Sequence, residues 1–247
     1  MLEKVLSDAI LVIVIIVVFS WAFFNVEFQI QNSEFNSAIQ LFQILANFDD
    51  GAFRLGDTNY VTITVNRGII DIHELRTMLE VYIDYNLEYS VELSTKYISY
   101  KAGWLVSTLE NFYRGDRNMI TNSSKIICVF TNQSNGARVF IRPRIRVIVL
   151  GTYIGKRIDG SMFKVFMMNI LISIMDIGEC FGTSPYKLLF KTANITTIVI
   201  RKNYDVSISH VISIYAYGES YEVNTSECDS VIITITISKI LFEVRGA

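Results

Sequence analysis

The hydrophobic pattern of the chain changes twice, and each change marks a different element. From Ala9 to Phe24 the sequence AILVIVIIVVFSWAFF contains one polar residue, Ser20, and Val26 carries the apolar character past Asn25. Such a run predicts a membrane-spanning helix: Ala9 to Val26 at ~1.5 Å per residue reach about 27 Å, against a hydrocarbon core of about 30 Å. Ala9, Ile16 and Phe24 are then anchor residues within lipid, and Trp21 near the outer end suits the membrane interface. A buried helix of a soluble domain is the alternative reading of the same run.

From Glu27 the pattern becomes amphipathic. In EFQIQNSEFNSAIQLFQILANFDD, Phe28, Phe35 and Phe42 recur seven apart, and Ala38, Leu41 and Leu45 fill the same stripe. That is the pattern of a helix laying one face on a core. No Gly or Pro interrupts residues 6–48, so both segments are predicted to form one rod of roughly 60 Å, half in lipid and half packed on the body of the protein. Phe28, Phe35, Phe42 and Leu45 are the expected packing residues of this stalk, and Asp49-Asp50-Gly51 ends it.

Beyond the Gly51–Gly56 loop the period shortens to two. Asn59 to Asn66 alternates, Arg67-Gly68 offers a turn, and Ile69 to Ile72 continues the alternation, which predicts a hairpin. Further strand-like runs occupy 79–86, 87–100, 125–131, 138–150, 164–177, 186–191, 195–201, 206–217 and 230–244. In the last of them Ile233, Ile235 and Ile237 alternate with Thr234, Thr236 and Ser238, the signature of a half-buried strand. Only two prolines occur, Pro143 and Pro185, while β-branched and aromatic residues abound. The predicted fold class is mainly β with a long N-terminal α-helix: an antiparallel β-sandwich-like body on a helical stalk. Residues 102–113 read as a short helix, and the polar stretch Gly115–Ser124 places a boundary near residue 120. The expected units are 1–50, transmembrane plus amphipathic stalk helix; 51–120, a first β subdomain; and 121–247, a second β-rich subdomain.

Composition narrows the class. Of 247 residues 51% are hydrophobic and 19% charged, with a mean hydropathy of +0.37, too apolar for disorder and too charged for a protein crossing the membrane many times. The net charge of −2 and the lack of any Lys/Arg block give no reason to expect nucleic acid as a partner. Lys4 and the terminal amine precede the apolar run, offset by Glu3 and Asp8, whereas Glu27 to Phe53 holds no Lys or Arg. This bias predicts a cytoplasmic N-terminus and an extracellular C-terminal domain. No small-residue cleavage site follows the run, so an uncleaved anchor is expected.

A membrane-embedded then amphipathic helix followed by a β-rich head resembles the type IV pilin and pseudopilin architecture, and the single-span accessory subunits of archaeal pili and archaella. The resemblance covers the first fifty residues by pattern and the rest by fold class. It implies a surface location, with other filament or envelope subunits as partners. The region Lys4-Val5-Leu6-Ser7-Asp8 departs from the family, because it lacks the small residue at which pilin precursors are cut. Nor does a Glu lie inside the apolar run, which favours a stationary anchored subunit over a polymerising one.

Catalytic chemistry is not legible. His73 and His210 each stand without a second ligand or nucleophile at motif spacing, and no phosphate-binding loop, nucleophile elbow, dinucleotide fingerprint or zinc motif occurs. No enzyme activity, cofactor or metal is expected; Asp49, Asp50 and Asp57 match no calcium loop. Arg142, Arg144 and Arg146 alternate along one strand-like run and form a candidate contact patch for carboxylates, or else a solvated face. Sequons at Asn122, Asn132, Asn194 and Asn224 are candidate glycosylation sites. Tyr82, Tyr85, Tyr89, Tyr97 and Tyr100 either present a carbohydrate-stacking surface or pack across strands. Of the three cysteines, Cys180 and Cys228 are the candidate disulfide, with three separate buried thiols as the alternative. The expected partners are the lipid bilayer, other surface subunits and a second copy of the chain. An anchored carbohydrate receptor and a membrane-tethered hydrolase are the competing functions.

Overall fold

The computed structural model describes residues 2–49, 58–156, 158–181 and 186–246. Helix α1 (Leu2–Asp49) precedes β1 (Thr58–Ile63), β2 (Ile69–Ile83), β3 (Asn86–Lys101), β4 (Asn111–Arg114), β5 (Ile120–Thr121), β6 (Ile127–Asn132) and β7 (Arg138–Pro143). β8 (Ile145–Lys156), β9 (Met162–Phe181), β10 (Tyr186–Ile208), β11 (Val211–Ala216), β12 (Glu219–Asn224) and β13 (Cys228–Gly246) complete the chain. The protein is mainly β with one long N-terminal helix, as the alternation predicts. A six-stranded sheet runs β1-β10-β13-β9-β8-β5, and a seven-stranded sheet runs β12-β11-β2-β3-β7-β6-β4. The pairing is mixed, not wholly antiparallel, because β13 lies parallel to β9 and β5 parallel to β8.

Two apolar clusters hold the body together, one above the other. In the near half, where the helix enters, Phe35, Ala38, Phe42 and Leu45 share a buried cluster with Ile98 and Val139 of the larger sheet and Met175 and Phe242 of the smaller one. The second half of α1 is therefore part of the core. In the far half the sheets meet without it, through Leu79, Leu93, Ile170 and Ile233 among others.

Four sequence-based expectations change. β1 and β2 do not form a hairpin: β1 pairs with β10 in one sheet and β2 with β3 in the other. The intervening turn is captured by the helix instead. The Glu34 carboxylate accepts the Asn66 N–H at 2.8 Å and the Arg67 N–H at 3.3 Å. Gly68 lies against Tyr100, where a Cβ would come within 2.4 Å of the ring. Residues 102–113 are not a helix but a connection leading into β4. Gln31 and Gln133 side chains accept its Leu105 and Thr108 N–H groups at 3.1 and 2.8 Å, and a helix that short has little stability of its own. The run 138–150 breaks at Arg144, where the chain leaves the larger sheet for the smaller. Nor does the boundary near residue 120 separate two bodies, since each sheet interleaves strands from both sides of it. Long-range pairing, invisible in local alternation, decided that.

Candidate membrane anchor and contact edge

From Ala9 the first half of α1 is apolar on every side and stays largely bare until it nears the head, where Phe24 meets Trp104 edge-on at 6.2 Å. Its large apolar side chains from Ile10 to Val26 range from 50% exposed at Phe24 to 77% at Phe19; Ala9, Ile16 and Trp21 are all exposed. A surface helix of a soluble domain keeps a polar face toward water, and this one has none. It is one helix long and apolar enough to cross a membrane. None of the described residues buries this run, as a core helix would require.

The change to a docked helix occurs within two turns. Phe35, Ala38, Phe42 and Leu45 are buried, as the sevenfold spacing predicts, and so is Gln31, which it does not predict; Leu41 is half-buried and Phe28 is 48% exposed. Phe28 is thus not a packing residue, although the head already reaches Glu27 beside it through Arg67. At this border Glu27 receives the Gln31 amide at 2.9 Å and the Arg67 guanidinium at 2.9 Å. The amide first, then Arg67, holds its carboxyl below the usual range. Deeper in, Tyr100 donates to Glu34 at 2.8 Å, and burial, reinforced by that bond, raises its phenol far above the ordinary value.

The three arginines do not form an exposed patch. Arg144 is 1% exposed. Its guanidinium donates to the Asp116 carboxylate at 2.7 Å and to the carbonyls of Asp116, Asn118 and Lys125. Backbone bonds from Arg144 to Ile126 and from Ile145 to Met119, both 2.8 Å, fix the crossing between sheets. Arg142 lies over the Phe130 ring at 5.0 Å, and Arg146 is half-buried in the other sheet. A partner cannot reach Arg144. Its burial would have been hard to foresee, because the alternation that exposes an arginine is read along one strand and this one sits between two.

The cysteines do not pair as expected. Cys228 is a free, buried thiol, as is Cys128. The register sets Cys180 beside Val244, sixteen positions along β13 from Cys228, about 50 Å of strand. Burial pushes the Cys128 thiol up to about 11.

The sequons all lie in the head: Asn122 after β5, Asn194 on β10 where its register against β13 slips, and Asn224 at the end of β12 are exposed. Asn132 is half-buried and accepts the Ser134 N–H at 2.7 Å. The tyrosines scatter. Tyr100 is in the core, Tyr97 stacks on His73 at 4.8 Å, and Tyr89 packs against the far cluster. Only Tyr82 and Tyr85 meet at one place, joining Tyr215, Glu80 and Ser213 around a hollow of about 250 Å³. Nearby, buried His210 contacts Asp84 at 2.6 Å and stacks on Tyr204 at 3.7 Å, pinning the β2–β3 turn to β11.

Some sheet edges are covered. Glu219 of β12 accepts the N–H groups of Met119 and Ile120 at 2.7 and 3.2 Å, closing β12 onto β5, and Arg114 of β4 binds Asn47 of the helix. Other edges stay open: β2 meets β11 only from Glu80 to Ile83, β3 meets β7 only from Ile98 to Lys101, and β10 has 23 residues, of which β1 covers only Tyr186 to Lys191. From Val199 to Asp205 no described strand pairs with its outer edge. There Val199, Arg201, Asn203 and Asp205 are exposed while Ile198, Ile200, Lys202 and Tyr204 turn inward. A long unpaired edge is a template for another strand.

Among the described residues no group of three His, Cys, Asp or Glu side chains is placed to hold a metal ion. No family model, curated protein or solved structure matches this chain.

Proposed function

We propose that this chain is a membrane-anchored surface subunit of pilin-like design, working by contact rather than by catalysis. In this reading the N-terminus is cytoplasmic, α1 crosses the bilayer once, and the β-rich head stands outside the cell. The supporting observation is the continuity of α1, 48 residues whose first half is bare and apolar and whose second half is core. Because one unbroken helix serves both, the membrane fixes the orientation of the head. Alkaline carbonate should leave the full chain in the membrane pellet, and removal of residues 1–26 should release it; a full chain that washes off would refute the anchor.

The contact surface in this reading is the free stretch of β10, and its fitting partner is a second copy. An antiparallel pairing centred on Asn203 would set each Arg201 opposite the Asp205 of the other copy, a favourable cross-strand pair. Arg201→Asp should then abolish self-association seen by sedimentation in detergent, and adding Asp205→Arg should restore it. Association indifferent to both changes would exclude the edge as the contact surface.

A second reading, ligand binding, has one specific support. The hollow at Tyr82, Tyr85 and Tyr215 combines aromatic faces with the Glu80 carboxylate, a combination suited to a sugar ring. Chemical-shift changes confined to these residues on titration with neutral and acidic oligosaccharides would favour it, and no shifts would dismiss it.

A further inference from the structure

We propose that the head makes a second, direct contact with the bilayer, through Trp104 on the connection between β3 and β4. The inference rests on the anchor reading and adds to it: the head sits on the membrane rather than swinging clear of it.

Depth along the helix carries the argument. Trp104 is 77% exposed, and its ring meets the edge of Phe24 at 6.2 Å and 87°. Phe24 belongs to the apolar run, a turn before Glu27, the first charged residue after it. Helical side chains lean toward the helix N-terminus, so the Phe24 ring lies on the membrane side of its own backbone. A side chain in contact with it shares its level. Just above, the Glu27–Arg67 pair marks where charged headgroups would begin. An indole at that height has its preferred environment, an apolar ring with a polar tip at the interface.

The connection cannot carry Trp104 away. Ala102 N–H donates to Ala137 O at 2.9 Å, Val106 N–H to Gly103 O at 3.2 Å, and Val106 is buried in the near core. Gly103 lies so close to Gln31 that a Cβ would come within 2.3 Å of its Oε1, while Leu105 N–H donates to that same oxygen. Both neighbours of Trp104 are therefore held against Gln31, about two turns of helix beyond Phe24. The occupant of the space around its ring is the bilayer already holding the anchor, with which this surface is continuous.

The chain has two tryptophans, so single substitutions isolate each reporter. The full chain carrying W21F or W104F is placed in phosphatidylcholine vesicles whose acyl chains bear a nitroxide either near the headgroup or deep. In the W21F variant the shallow label should reduce Trp104 emission about twofold or more beyond the deep one, with little quenching by aqueous iodide. If iodide quenches W21F and neither lipid does, while lipid still quenches Trp21 in W104F, the head contact is refuted and the anchor stands. Lipid quenching of neither variant refutes both. Shielding of Trp104 from iodide and lipid alike, lost on dilution into excess lipid, would mean a second copy covers it and would also refute the proposal.

Discussion

Replacing Phe42 with alanine should destabilise the head far more than the same change at Phe28, although the two residues occupy one stripe of one helix. Phe42 is fully buried among side chains from both sheets. Truncating a buried phenylalanine costs about 3–5 kcal/mol, partly lost transfer energy and partly the cavity left behind. For a body of roughly 190 residues each kcal/mol lowers the melting temperature by about 2–4 °C, so the expected drop is about 6–20 °C. Phe28 is 48% exposed and outside both clusters, so Phe28→Ala should stay within about 0.5 kcal/mol. The assay is thermal unfolding of the full chain in one detergent at one pH, followed by the near-ultraviolet circular dichroism of the head tyrosines. Equal shifts for the two variants, or none for Phe42→Ala, would show that the sheets close without the helix and that α1 is merely tethered.

Arg144→Met should lower stability by about 3 kcal/mol in urea titration, because three carbonyls lose their donors in a buried setting. Asp116, half exposed, returns to water and adds little; Arg144→Lys should recover only part, since an ammonium cannot span the same fork of acceptors. A loss under about 0.5 kcal/mol would contradict the geometry. Burial alone would raise the Asp84 pKa, but the His210 hydrogen bond, the Val211 N–H and Lys202 together hold it below the usual value. Its contribution to stability is therefore present above the ordinary carboxylate pKa and fades as pH falls through the folded one. The stability gap between wild type and Asp84→Asn should narrow as pH falls below about 4; a gap constant to the acid limit would contradict the assignment. In a digest of the unreduced protein, Cys228 should be recovered as a free thiol that alkylates only after unfolding, and a Cys180–Cys228 linked peptide would contradict the strand register.

Much of the architecture was legible because it is written in short periods. The purity of Ala9–Phe24 and the sevenfold spacing of Phe35 and Phe42 describe one helix in two environments, and the Ile/Thr alternation of 231–236 describes a strand with one buried face, a pattern that fails at half-buried Ile237 and fully buried Ser238. Other features depended on partners distant in sequence. Asn59–Ile72 looks like a hairpin because nothing local says that Glu34 takes hold of its turn. Residues 84 and 85 form the real β2–β3 turn with positive φ angles of 51° and 65° and no glycine, held by contacts from His210 and Val211. Arg144 reads as an outward side chain until the strand around it is seen to change sheets. The unpaired stretch of β10 and the height of Trp104 are properties of assembly alone, since any strand edge and any tryptophan look the same in a string of residues.

The central claim is that a single apolar helix crosses the bilayer and leaves the folded head outside. Protease added to intact cells, with immunodetection of the head, tests it most directly. Cleavage in the head is expected without lysis, with the N-terminal segment protected until the membrane is dissolved. A head left intact on whole cells but digested as soon as they are opened would place it on the other side and contradict the claim.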